Sequence, residues 1–160
     1  MPALLLPGQA HENVPGEPPV HPHITPAQAG FDTLFWDIDD GEFPLDSHAQ
    51  TFATLAKLEQ AIPPGDVHRQ LQYRYMHCLI GFNHEADDAV EYARAGAGAA
   101  RTAGDEATEA ALRACLGIHL SNTGDAAAAR VQFEQAAQLA RRARDFNVEG
   151  VALVRRGNLR

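Results

Sequence analysis

The chain resembles itself at an offset of forty residues. Arg101, Asp105, Glu109 and Gly117 match Arg141, Asp145, Glu149 and Gly157. Ala86, Ala89, Ala97, Ala100 and Ala103 match Ala126, Ala129, Ala137, Ala140 and Ala143, and one step back Ala49 aligns with Ala89 and Ala129. Alanine coincidences carry little weight in an Ala-rich chain, so the four other matches decide. A period of this length implies a supersecondary unit that buries its apolar faces only by stacking on further units.

The unit is a pair of helices. Thr25 caps a first helix, with Pro26 at its first position and Gln28 completing a capping box. That helix runs to about Asp40, with Phe31, Leu34, Phe35 and Ile38 at helical spacing. Ser47 and Gln50 form a second capping box. The helix that follows carries Phe52, Leu55, Ala56 and Ile62 and stops at Pro63-Pro64-Gly65. Asp66 opens a third helix to about Phe82, and residues 86–103 form a fourth. Asp105 caps residues 106–122, Asn122 to Asp125 turn the chain into residues 126–143, and Asp145 begins a last helix. No segment shows the alternation of a strand. The short connections favour antiparallel neighbours. The expected fold is therefore all-α, seven helices in antiparallel pairs over about 26–65, 66–105 and 106–145, with an incomplete pair at 146–160. Residues 1–25 carry six prolines and resist both helix and sheet, so they read as an irregular leader.

Small residues at Gly117, Ala129 and Ala136 let helices approach closely, and Phe133 fills the space they leave. These positions also carry a family resemblance. Leu116-Gly117, Leu120, Gly124-Asp125, Ala129, Phe133 and Ala136 stand at the spacing of a tetratricopeptide repeat. The segment 106–145 resembles it well and 66–105 in part, with His77, Ala93 and Gly96 in place of the Gly, aromatic and Ala. Residues 26–65 resemble it weakly, and Gly157-Asn158 resembles the start of a fourth repeat. The resemblance implies a right-handed solenoid of stacked pairs. The forty-residue length is similar to the longer variant found in bacterial regulators.

Composition sets the class of partner. A hydrophobic fraction of 45% and a charged fraction of 21% suit a soluble globular domain. The net charge of -8 argues against nucleic acid as a partner. Arg141, Arg142, Arg144, Arg155, Arg156 and Arg160 make the end locally basic, which reads as solvated helix faces. The start lacks the basic region of a signal peptide and no stretch is long enough to span a bilayer, so no membrane is expected and the cytoplasm is the default location. Cys78 and Cys115 sit in apolar helical runs and are expected to be free buried thiols.

No catalytic site, metal site or cofactor is expected. Asp37 to Glu42 suggests a calcium loop, but Glu42 and His48 occupy the places that need Gly and Glu. His11, His21 and His23 lie in the leader, which offers no rigid frame for zinc. His77 and His119 read as packed or surface residues. Gly96-Ala97-Gly98 lacks the Lys-Ser/Thr of a phosphate loop and lies within a helix, where close packing accounts for it. Ser47 and Ser121 have no nucleophile motif around them.

In tetratricopeptide stacks the first helix of each pair lines a concave groove. The resemblance assigns to that groove Arg74, Cys78 and Phe82, then Ala114, Ile118 and Asn122, then Val154 and Asn158. Of these, Arg74, Phe82, Ile118, Asn122 and Asn158 are the candidate binding residues. The basic clamp of the chaperone-tail binders is absent, so a helix or apolar segment is the expected ligand. The resemblance further implies an interaction or regulatory module, not an enzyme, at the N-terminus of a longer bacterial signalling protein. Its partner would be a protein segment or its own output domain, such as a diguanylate cyclase with a C-terminal GGDEF domain. Alternatives are the interaction domain of a transcription regulator and a plain assembly scaffold. Val148, Val151, Ala152 and Leu159 lie along the last helix, which lacks a partner helix. The isolated chain is expected to self-associate there, a homodimer being favoured, or to fray, and the protein to continue past Arg160.

Overall fold

A computed structural model describes residues 24–43, 45, 47–81 and 89–159. Among them are seven helices and no strand: α1 (Pro26–Asp39), α2 (His48–Gln60), α3 (Val67–Gly81), α4 (Ala89–Ala103), α5 (Glu106–Asn122), α6 (Ala126–Ala143) and α7 (Phe146–Gly157). The leader through residue 23, the α3–α4 connection and Phe82 lie outside the described residues. No helix among the described residues is long and apolar enough to cross a membrane.

Local chemistry sets the helix starts. The Thr25–Gln28 capping box forms in both directions. At α2 only half of the expected box forms: the Ser47 hydroxyl accepts from the Gln50 N–H but donates to the Gln50 side chain. Asp66, Asp105, Asp125 and Asp145 each accept from the backbone N–H three residues on, at the starts of α3, α5, α6 and α7. The turns before α5 and α7 are equivalent. Gly104 and Arg144, forty residues apart, both adopt left-handed backbone, with φ of 73° and 59°. Glycine does so without steric cost and arginine does not.

Each helix packs on the helix before and after it, and α5 also touches α3 and α7. Two main cores result, and α3 serves both, while a smaller cluster sets Ala110 of α5 against Leu139 and Ala140 of α6. One face of α3 puts Tyr73, Met76 and Ile80 against Phe31, Phe35 and Ile38 of α1 and Leu55 and Leu58 of α2. Another puts Leu71 and Cys78 into a core running to α7. The first core is aromatic. The second is built mostly of alanine, so its helices lie close, and Phe133 and Leu112 fill what the small residues leave. A Cβ on Gly117 would sit 2.8 Å from the Phe133 ring, and one on Gly96 would sit 3.2 Å from Leu112. Both glycines are close-approach positions. Gly98 has nothing within 4 Å and plays no such part.

Two expectations need correction. On α2 the buried stripe is Thr51, Thr54, Leu55 and Leu58, while Ala56 is exposed and Phe52 and Ile62 are half-buried. Nor are the cysteines free thiols. Cys78 of α3 and Cys115 of α5 are joined by a disulfide, their Cα atoms 6.3 Å apart.

Polar links tie alternate helices at the start of the stack and successive ones towards its end. Arg69 of α3 reaches both carboxylate oxygens of Asp32 in α1, at 2.9 and 2.6 Å, and also Asp66 at 2.8 Å. The Gln28 amide donates to Asp66 at 2.9 Å. His68 of α3 meets the cap of α5, Asp105, at 3.2 Å. Arg142 of α6 holds Glu106 of α5, and Arg141 holds Glu149 of α7. The repeated Arg–Glu pair of the sequence thus differs in its two copies: Arg141 binds Glu149, whereas Glu109 takes Arg113 at 2.8 Å. The Arg69 and Asp66 side chains are mostly buried, so this link is screened less than a surface pair. Burial alone would raise the Asp66 carboxyl, but bonds from Gln28 and Arg69 hold it below the usual carboxylate range.

Candidate functional site

Two arrangements gather side chains capable of chemistry or recognition. The first lies between α3 and α5. Cys115 and His119 are four residues apart on α5 and share a face. The disulfide sets Cys78 against that face. Cys78, Cys115 and His119 are all buried, and one ligating atom from each lies within 4.8 Å of the others. Among the described residues this is the one group of three potential metal-binding side chains; the Asp37–Glu42 run forms no such group. The His119 Nε2 lies 3.3 Å from the Cys78 carbonyl oxygen. A carbonyl only accepts, so Nε2 is the donor in this contact. Burial pushes the His119 imidazole below its ordinary pKa, with the bond to Cys78 acting in the opposite sense.

The second arrangement is a cleft of 350 Å³ between the α2–α3 turn and the pair α3 and α4. Glu59, Ile62, Pro63 and Pro64 line it from α2 and the turn, and Gln70, Tyr73, Arg74 and Tyr92 from α3 and α4. The Arg74 guanidinium lies 4.9 Å from the centre of the Tyr92 ring, within cation–π range. His77 stacks on Tyr92 from α3, ring centres 4.3 Å apart, and meets Tyr73 edge-on at 6.0 Å. These rings fix the cleft wall. Burial, and then the neighbouring Tyr92, push the Tyr73 hydroxyl pKa well up, so it stays a neutral donor and acceptor.

The residues assigned to a groove differ in exposure and surroundings. Arg74 turns to Tyr92 and the cleft, with its Cδ 3.4 Å from where a Cβ of Gly96 would be. Cys78 and Ala114 are buried in the core. Ile118 is half-buried against that core. Asn122 is exposed at the last position of α5, Asn158 is exposed as the C-cap of α7, and Val154 is 63% exposed. Phe82 lies outside the described residues. The sequence reading missed Tyr73 and Tyr92 of the cleft and the partnership of Cys78, Cys115 and His119. The four-residue spacing of Cys115 and His119 was the available signal for the latter. Comparison with known proteins adds no relative to this picture: no family model, no curated protein and no solved structure matches the chain.

Proposed function

We propose that the chain is a tetratricopeptide-type right-handed solenoid that works as a protein-interaction module, without catalysis of its own, and binds a segment of a partner protein in the cleft walled by Tyr73, Arg74 and Tyr92. The carrying observation is the Arg74–Tyr92 stack facing a proline-lined wall. Tyrosine and arginine are enriched where interfaces bind tightly, because they bring large area and directional donors at little entropic cost. His77 also stacks on the Tyr92 ring, a contact that restrains this wall in the free chain. Ile62, Pro63 and Pro64 offer an apolar surface, and Arg74 offers donors to a backbone carbonyl or carboxylate. The serial packing of helix on helix, with α5 touching α3 and α7, is the order of contacts a solenoid requires.

Selection from a displayed peptide library tests this reading. Peptides should be enriched that pair an apolar residue with an acceptor, and Arg74→Glu and Tyr92→Ala should each weaken them about tenfold or more by fluorescence anisotropy, as hot-spot truncations do. Failure to enrich peptides, or peptides indifferent to both changes in variants of unaltered circular dichroism, would overturn it.

A further inference from the structure

The buried group of Cys78, Cys115 and His119 lies apart from the cleft and is not used by it. In the structure its two sulfurs are bonded to one another. Reduction gives two thiols whose Cα atoms stand 6.3 Å apart, with an imidazole beside them. Two thiolates and a neutral imidazole form the donor set of soft cations, above all Zn²⁺ and Cu⁺. Burial distinguishes the two. Zn²⁺ cancels both thiolate charges, whereas Cu⁺ leaves one negative charge in a core where an unpaired charge is strongly disfavoured. The contact between Nε2 and the Cys78 carbonyl orients the imidazole, as the outer-shell partners of metal-bound histidines do.

We propose that the reduced protein binds one Zn²⁺ through Cys78, Cys115 and His119, and that zinc and the disulfide are alternative occupants of the same pair of sulfurs. Three protein ligands leave a fourth position for water or another small ligand. Oxidation by a low-molecular-weight disulfide exchanges one state for the other. One cysteine thiolate attacks a sulfur of the small disulfide and expels one small thiolate. The other cysteine thiolate attacks the resulting mixed disulfide and expels the second. Two electrons pass to the small disulfide, the Cys78–Cys115 bond forms, and Zn²⁺ leaves with its charge balanced by the two released thiolates.

The test uses the whole chain, reduced and refolded without oxygen in the presence of Co²⁺ as a spectroscopic stand-in for Zn²⁺. The expected result is one equivalent of cobalt bound with a thiolate-to-metal charge-transfer band, displaced by one equivalent of Zn²⁺. Cys115→Ser should weaken binding by roughly 100-fold and His119→Gln by at least about tenfold, on the scale of ligand and supporting-shell losses. His48→Gln, at an exposed position of α2, should leave it unchanged. Oxidised glutathione should release zinc to a chromophoric chelator at the rate the disulfide forms. X-ray absorption of the wild-type zinc complex requires no variant and should show two sulfur neighbours. A helical, reduced chain with no charge-transfer band, a zinc shell without sulfur, or equal binding by the oxidised chain would each overturn the proposal. So would binding indifferent to Cys115→Ser or to His119→Gln.

Discussion

Replacing Gly117 by alanine sets two calculable effects against each other. Mid-helix, alanine is favoured over glycine by about 1 kcal/mol, and Gly117 lies well inside α5. Against this, the added Cβ meets three atoms of the Phe133 ring at 2.8, 2.9 and 3.0 Å. Ordinary carbon contacts begin about half an ångström further out. The ring is 1% exposed and stiff, so it cannot swing aside like the end of a flexible chain. Overpacking of this kind costs about 1–3 kcal/mol. The expected net effect is a loss of up to roughly 2 kcal/mol once propensity is subtracted. Urea denaturation with a double-mutant cycle measures it. Gly117→Ala should lower the midpoint at unchanged slope. Combined with Phe133→Leu it should be less harmful than the two single changes together, by at least about 0.5 kcal/mol of coupling. Gly150→Ala, in an exposed helical position with nothing within 4 Å, serves as the propensity control and should stabilise. A Gly117→Ala midpoint raised as much as that of Gly150→Ala would show that the close approach of α5 and α6 does not exist.

Other outcomes follow from the same structure. Phe133→Ala should cost about 3–5 kcal/mol in a urea melt, as for a fully buried ring. Reduction of the Cys78–Cys115 bond, whose ends are 37 residues apart, should cost about 4 kcal/mol by the loop-entropy relation, lowering Tm in metal-free buffer by roughly 8–16 °C. Because the folded protein holds the His119 imidazole below its ordinary pKa, the unfolded chain binds the proton more readily. That contribution to stability is complete above about pH 6.5 and is lost as pH falls below it. The urea midpoint should fall over that range and do so less in His119→Gln. Arg144→Gly should stabilise by roughly 0.5–1 kcal/mol, because the residue holds φ of 59° where its counterpart is glycine.

The helices and their starts were legible because capping is local. Thr25, Ser47, Asp66, Asp105 and Asp145 announce themselves by the side chain needed three residues before a backbone donor. Gly117 and Phe133 were legible because a repeated small–large pattern has one sensible packing. The α2 face was misjudged because Thr51 and Thr54 count as polar by type, yet a helical threonine can return its hydroxyl to the backbone and bury its methyl. The disulfide lay out of reach for a different reason. Whether Cys78 meets Cys115 depends on the stagger of α3 against α5, two helices that are not neighbours in sequence, and a one-residue rotation of either would part them. Arg74 was legible as a candidate binding residue, but its partner Tyr92, on the following helix, was not, because that contact depends on how α4 packs against α3.

The Cys78–Cys115 bond also changes how the molecule transmits force. It makes residues 79–114, with all of α4, a closed side ring through which tension applied at the two ends does not pass. Pulled in an optical trap, the bridged chain yields no length from that ring however far the helices unravel. Once the bond is cut, about 130 Å of contour becomes available, at roughly 3.5 Å for each of the 37 residues of separation. The same covalent shortcut keeps α3 and α5 tethered even when everything between them has come apart, so the middle of the stack has a built-in stop against extension.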